Sequence, residues 1–170
     1  YEGLVETVPG VNLELLRMDK YQIDPSKDAL FRGEFEVVKE LPIHAGILFD
    51  TSASMVDRLE QARDAALKFF RQIIRPKDRA SFITFNQRPT LAAQFTGEVD
   101  ELAGELAGLK AERGTALYDS LIFTLYYFNG IKGQRALILL SDGDDQHSRF
   151  LWEDAIEYAR RAGVAIYSIG

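Results

Sequence analysis

Cysteine is absent, and histidine occurs only at positions 44 and 147. These gaps exclude a disulfide scaffold, a Cys-based zinc module, a thiol redox centre and a Cys nucleophile, and they argue against a His-rich metal site. No apolar run approaches the ~20 residues that cross a bilayer as a helix. Basic residues are outnumbered, 20 Lys and Arg against 26 Asp and Glu, for a net charge of −6. Phosphate binding needs a clustered basic face, and no basic tract stands out, so nucleic acid is not an expected partner. A Gly-x-Gly-x-x-Gly turn, a Walker loop and a Gly-x-Ser-x-Gly elbow are missing too. No charged-then-apolar leader opens the chain, and localisation stays open on these grounds. Demanding chemistry is left to oxygen ligands, amines or hydroxyls.

What is present suits one compact domain with a small appendage: 170 residues, 46% of them hydrophobic. Within residues 1–40, Asn12 to Leu16 and Phe31 to Val38 read as short strands around a polar stretch with Pro25, Ser26 and Asp28. They are expected to form an N-terminal β extension. From Leu41 onward short apolar runs alternate with longer amphipathic ones. Pro42 to Phe49 is almost continuously apolar, as in a strand buried on both faces. In Asp57 to Ile74, residues Leu59, Ala62, Ala66, Phe69, Phe70, Ile73 and Ile74 recur at helical steps, and Pro76 marks the end. Ala80 to Phe85 and Thr90 to Phe95 read as an antiparallel pair around the turn Asn86-Gln87-Arg88-Pro89. A short helix carries Val99, Leu102, Leu106 and Leu109 on one face. Leu117 to Phe128 is a further helix, ended by Asn129-Gly130. Ala136 to Leu140 is a buried strand, Phe150 to Ala162 a helix closed by Gly163, and Val164 to Ile169 the last strand. This alternation predicts a doubly wound α/β domain over residues 41–170, with a mostly parallel sheet and helices on both faces.

In such a sheet, ligands bind beyond the carboxyl ends of the strands, where strand order reverses. Three loops reach that edge: Asp50-Thr51-Ser52-Ala53-Ser54, Gly114-Thr115, and Ser141-Asp142-Gly143-Asp144-Asp145. Asp50 and Asp142 each follow an apolar strand, and Ser52, Ser54 and Thr115 add hydroxyls. The set is all oxygen, which is what a hard divalent cation prefers, and it leaves a coordination position for something else. Plainer roles compete: Ser52 and Ser54 as helix caps, Asp142-Gly143 as a turn, Asp144 and Asp145 as solvated loop acids. Asp119 reads as a surface acid or a support for the Thr115 loop, and His147 as an exposed loop residue near the same rim. His44 reads as a hydrogen-bonded structural residue, and Tyr118, Tyr126, Tyr127 and Phe128 as core.

Phe49-Asp50-Thr51-Ser52-Ala53-Ser54-Met55, Gly114-Thr115-Ala116-Leu117-Tyr118-Asp119 and Leu140-Ser141-Asp142-Gly143 together resemble the metal-ion-dependent adhesion site of von Willebrand factor type A domains. The resemblance implies a Rossmann-like fold with strand order 3-2-1-4-5. It implies a sixth strand with helices in complete members, which this sequence is expected to lack. It further implies that Asp50, Ser52, Ser54, Thr115 and Asp142 hold Mg2+, or Mn2+ or Ca2+, with Thr115 direct or through water. An acidic residue of a protein partner would complete the coordination, making the domain an adhesion-type binding module rather than an enzyme. Similar sequences are bacterial, often secreted or in the cell envelope. The competing functions are a Mg2+-dependent phosphoryl-transfer or hydrolytic enzyme, and a structural domain with an idle metal site. An aspartyl-phosphate enzyme usually carries an acid two residues beyond its nucleophile, and here that position is Ser52.

Overall fold

The computed structural model describes residues 41–112 and 114–169, so the β extension expected over residues 1–40 lies outside it. Among the described residues, five strands form one sheet in the order β3-β2-β1-β4-β5. They are β1 (Ile43–Asp50), β2 (Arg79–Phe85), β3 (Pro89–Thr96), β4 (Gln134–Leu140) and β5 (Ala165–Ile169). β1 runs parallel to both β2 and β4, β4 parallel to β5, and only β2 with β3 is antiparallel. The fold class and strand order are those the sequence implied.

The period of two along β1 sorts its side chains between two cores. Ala45, Ile47 and Phe49 pack with Ala66 and Phe70 of α1 (Leu59–Ile73) and Leu102 and Leu106 of α2 (Val99–Ala107). Leu48 packs on the other face with Leu117, Leu121 and Leu125 of α3 (Leu117–Tyr127) and Ala155 of α4 (Trp152–Ala162). Connection handedness explains this division. The β1-α1-β2 unit moves one way along the sheet and β4-α4-β5 the other, so two right-handed crossovers place α1 and α4 on opposite faces. Each large side chain fully buried in these layers, such as Phe70 or Leu125, contributes about 1.5–3 kcal/mol. Among the described residues no helix is long and apolar enough to cross a membrane.

Boundaries shift slightly from expectation. A 3-10 turn at Ala53–Met55 precedes α1, which starts at Leu59 rather than near Asp57, and α4 starts at Trp152 rather than Phe150. Two expected core assignments need correction. Tyr126 is 65% exposed, because Leu117, Leu121, Leu125 and Phe128 already occupy the single inward stripe of α3. Tyr127 stacks on Phe95 at 5.2 Å, and Phe128 is fully buried. His44 is not held by a hydrogen bond at Nδ1, which is buried without a partner; its ring instead meets Phe95 edge-on at 5.4 Å.

Gly46 lies where the end of α3 crosses β1. A Cβ there would stand 2.8 Å from Cζ of Phe128, so Gly46→Ala is expected to destabilise the domain by about 1–3 kcal/mol through overpacking, read as a fall in the urea midpoint at unchanged m-value. Burial, with the Arg79 guanidinium adding to it and the Asp78 carboxylate opposing, holds the His44 imidazole below its ordinary value of 6.5. The unfolded chain therefore takes up this proton first as pH falls. The resulting stability is fully present above about 6.5 and is lost below it. Urea melts at pH 7.5 and 5.5 should show a smaller difference for His44→Leu than for the parent chain.

Candidate metal centre

β1 is the point where strand order reverses, with β2 on one side and β4 on the other. The carboxyl ends of β1 and β4 lead to α1 on one face and to the β4–α4 loop on the other, opening the crevice in which such sheets bind ligands. Asp50, the last residue of β1, sits at the floor of this crevice with 0% exposure. Its Oδ1 accepts the backbone N–H of Ser52 at 2.7 Å, and its Oδ2 accepts the hydroxyl of Ser141 at 2.6 Å. The Ser141 oxygen in turn accepts the N–H of Gly143 at 3.1 Å. Parallel pairing produces this contact: Phe49 faces Leu140 in the register, which sets Asp50 beside Ser141.

Ser52 is buried and Ser54 exposed, and their hydroxyl oxygens lie 2.9 Å apart. Neither caps a helix. Ser52 stands immediately before the 3-10 turn but makes no side-chain cap, so of the two roles open from sequence the capping one does not apply. The loop is anchored from behind, where the Thr51 hydroxyl and N–H both donate to the carbonyl of Phe85. The N–H of Glu112 donates to the Thr51 carbonyl at 2.7 Å, bringing the strand-like stretch before Thr115 alongside.

Thr115 is buried and follows Gly114, whose φ of +89° and crowding against Gln87 leave no room for a side chain. The Thr115 carbonyl accepts the N–H groups of Gln146 and His147, and its own N–H donates to Nδ1 of His147 at 3.3 Å. His147, expected as a free loop residue, is exposed but tied to Thr115. Asp142 is exposed at the end of β4, bordering a cavity of about 530 Å3 walled by Met55, Arg58, Ala62, Leu140 and Ile169. Thus Asp50, Ser52 and Ser54 form one bonded cluster. Thr115 and Asp142 lie on the flanking loops, and neither side chain joins those hydrogen bonds.

The β4–α4 loop and α3 clamp each other. Ala116, at the start of α3, has no side chain able to cap it. Asp145 Oδ1 accepts the N–H of Leu117 at 2.7 Å and the hydroxyl of Ser148 at 2.6 Å, while Ser148 Oγ accepts the N–H groups of Tyr118 and Asp119. In return Asp119 Oδ1 accepts the N–H groups of Arg149 and Phe150. Asp145 is therefore a long-range cap and not a solvated loop acid. Asp119 is a support for this loop. Asp144 is the exposed acid of the pair.

The donor chemistry suits a hard cation. Asp50 is a buried carboxylate whose oxygens are met by a hydroxyl and an amide and, among the described residues, by no basic side chain, so these contacts compensate its charge only in part. Among the described residues no three His, Cys, Asp or Glu side chains group to hold a metal, so any ion here must draw on hydroxyl oxygens as well. Ser141, Asp145 and Ser148 were missed as functional residues. Ser141 was within reach, since it adjoins Asp142 and parallel pairing sets the residues following neighbouring strands side by side; nothing local marks Asp145 or Ser148.

Fold and edge define a doubly wound α/β domain with a carboxylate- and hydroxyl-bearing crevice at its switch point. The chain belongs to the von Willebrand factor type A domain family, whose model matches residues 46–170. Domains of this family generally mediate protein–protein interaction or adhesion. No curated protein sequence matches the chain. Among solved structures it is similar to the vWF domain of the type V pilus tip protein Mfa5 from Porphyromonas gingivalis, with a TM-score of 0.59 and 20% identity over 62% of this chain and 39% of that one. It is likewise similar to the conserved protein BatB from Bacteroides thetaiotaomicron, with a TM-score of 0.65 and 20% identity over 75% of this chain and 66% of that one. Proximal thread matrix protein 1 of the mussel byssus gives a TM-score of 0.63 at 19% identity, over 75% and 35% of the two chains. The chain thus spans well under two thirds of the Mfa5 structure. These likenesses show the fold.

Replacing Asp145 by Ala should uncap α3 at a cost of about 1–2 kcal/mol, measured by urea unfolding. Faster amide exchange at Leu117 and Tyr118 should accompany it.

Proposed function

We propose that this domain binds a protein partner through a divalent cation, Mg2+ or alternatively Mn2+ or Ca2+, held by Asp50, Ser52, Ser54, Thr115 and Asp142. The observation that carries the reading is the Asp50 carboxylate, fully buried at the switch point and oriented by Ser52 and Ser141, with no basic partner among the described residues. Ser52 and Ser54 would supply hydroxyl oxygens, Thr115 a hydroxyl from the α3 side, and Asp142 the second carboxylate. The ion would supply electrostatic attraction for an anionic group. Two carboxylates just neutralise a dication, so a third, from the partner, remains attractive to it.

Binding rather than catalysis fits the rest of the crevice. The two histidines are accounted for: His44 packs against Phe95, and His147 is bonded to Thr115. Position 52, where an aspartyl-phosphate enzyme usually carries its second acid, is a serine. Mfa5 is a pilus tip protein, and another similar structure is of an aerotolerance-related membrane protein from Bacteroides fragilis. We place this domain, by the same reading, in secreted or envelope-associated proteins.

Metal that binds only the folded state raises its stability, by about 2.7 kcal/mol at a hundredfold excess over Kd. For a domain of this size that is an increase in melting temperature of roughly 5–10 °C. Mg2+ or Mn2+ should produce this rise in the parent chain and none in Asp50→Asn, and partner binding should vanish in excess chelator. A parent chain that melts at the same temperature with and without saturating metal would overturn the reading.

A further inference from the structure

The edge opposite the crevice, at the amino ends of the parallel strands, is basic. β1, β2, β4 and β5 start there, α1, α3 and α4 end there, and the antiparallel β3 turns there into α2. This topology gathers bases that are scattered in sequence. Arg71 in the last turn of α1, Arg75 and Lys77 in the turn that follows, and Arg79 at the head of β2 lie on one side. Lys132 and Arg135 around the start of β4, and Arg160 and Arg161 in the last turn of α4, lie on the other. The acids of the same turns are Asp78, Glu98, Asp100 and Glu101, and Glu157 adds one more through its pair with Arg161. Eight positive charges thus meet five negative ones, a net of +3, while all other residues from Leu41 on sum to −5. Bases in a last helical turn complement the helix dipole, which accounts for Arg71, Arg160 and Arg161. Arg75, Lys77 and Lys132 lie outside helices and have no such role.

Charge and connection name the occupant. Residues 1–40 hold 9 acidic and 5 basic side chains, a net of −4, and enter the domain at this edge, where β1 begins at Ile43. His44 faces Arg79 and Ile43 faces Gln134 in the register, so Lys77 and Lys132 are each two residues from a direct neighbour of the start of β1. Both therefore lie within about 12 Å of it. Glu34, Glu36 and Glu40 are at most nine residues from Ile43. A tethered segment meets such a surface at an effective concentration of about millimolar, so a weak attraction suffices to hold it, and an untethered acidic partner competes only at a similar concentration.

We propose that residues 1–40 fold back on the basic amino edge, their acids lying against Arg75, Lys77 and Lys132. The docked segment leaves the Asp50 crevice uncovered and turns it away from the point where the chain enters the domain. The proposal does not depend on the metal reading.

The test is zero-length cross-linking of the full chain with a carbodiimide, which joins a carboxylate to a lysine amine, read by mass spectrometry on an equal mixture of isotope-labelled and unlabelled chains. Lys110, exposed beyond α2 towards the other edge, is the internal control. The expected result is links within one chain from Asp19, Asp24 or Asp28 to Lys77 and Lys132, at least about fivefold more abundant than links from the same acids to Lys110. They should fall at least threefold in about 0.5 M NaCl, where screening shortens the reach of charge. The same fall is expected in Arg75→Glu/Arg160→Glu, which keeps both reporter lysines and changes only exposed side chains; an unchanged urea midpoint for the domain shows that the variant folds. The salt arm needs no variant. Equal linkage to Lys77, Lys132 and Lys110 overturns the proposal, as does linkage indifferent to salt in the parent chain. Links only between labelled and unlabelled chains assign the edge to a second copy. Salt-sensitive binding to phosphatidylglycerol vesicles, lost in the variant and without links inside the chain, assigns it to an anionic lipid surface; either result overturns the folded-back segment.

Discussion

A carboxylate with no solvent exposure at the end of a central strand constrains everything around it. Burial of an isolated charge is costly by several kcal/mol, and the cost falls only if each oxygen finds a donor. Asp50 finds one from its own loop, the Ser52 amide, and one from a residue 91 positions later, the Ser141 hydroxyl. The second donor exists only because β4 lies beside β1, in parallel, with Phe49 opposite Leu140. Topology is thus part of the charge compensation. A sheet that placed β2 and β3 next to β1, with β4 elsewhere, would leave Oδ2 of Asp50 unmet.

The other side of the crevice depends on a different device. α3 begins at an alanine, and its first amides are met by Asp145 and Ser148 from the loop after β4. Asp119 returns the contact to the amides of Arg149 and Phe150. Each segment therefore satisfies groups that the other leaves orphaned. Thr115, held through its carbonyl and N–H by residues 146 and 147, is carried by the same clamp. A displacement of the β4–α4 loop must move Thr115 or break several hydrogen bonds together. This makes the β4–α4 loop and the Thr115 backbone one mechanical unit.

The sheet was legible because strands buried on both faces read as unbroken apolar runs, as Ile43–Asp50 and Gln134–Leu140 do. Strand order came from the family resemblance and agrees with the handedness rule. Periodicity put Leu121, Leu125 and Phe128 inward, as they are; Tyr126 was misread because α3 also carries large apolar side chains outside that stripe. His44 was misread because a buried strand position says nothing about which atoms cross it; here the neighbour is the ring of Phe95. Asp145 carries no local signature, since its function is defined by helix amides 28 residues earlier. Of the proposed site, Asp50, Ser52 and Ser54 were singled out by spacing, and they are linked by hydrogen bonds in one cluster. The loops bearing Thr115 and Asp142 were assigned to the correct edge, and no sequence pattern fixes their side-chain distances from it.

The shortage of acids at this edge is itself informative. Asp119 and Asp145 lie on the segments flanking the crevice, yet each is turned to backbone amides, and among the described residues no three acidic or imidazole side chains group to hold a metal. A site built to retain a cation permanently would gain from a third carboxylate, because affinity for a hard ion rises with ligand charge. A site that leaves the third charge to another molecule binds the ion more weakly alone and the pair together more strongly. Under the proposed reading, the hydrogen bonds that hold Asp119 and Asp145 away from the crevice serve two ends at once. They fix the α3 loop, and they keep one place at the ion for a carboxylate that this chain does not provide.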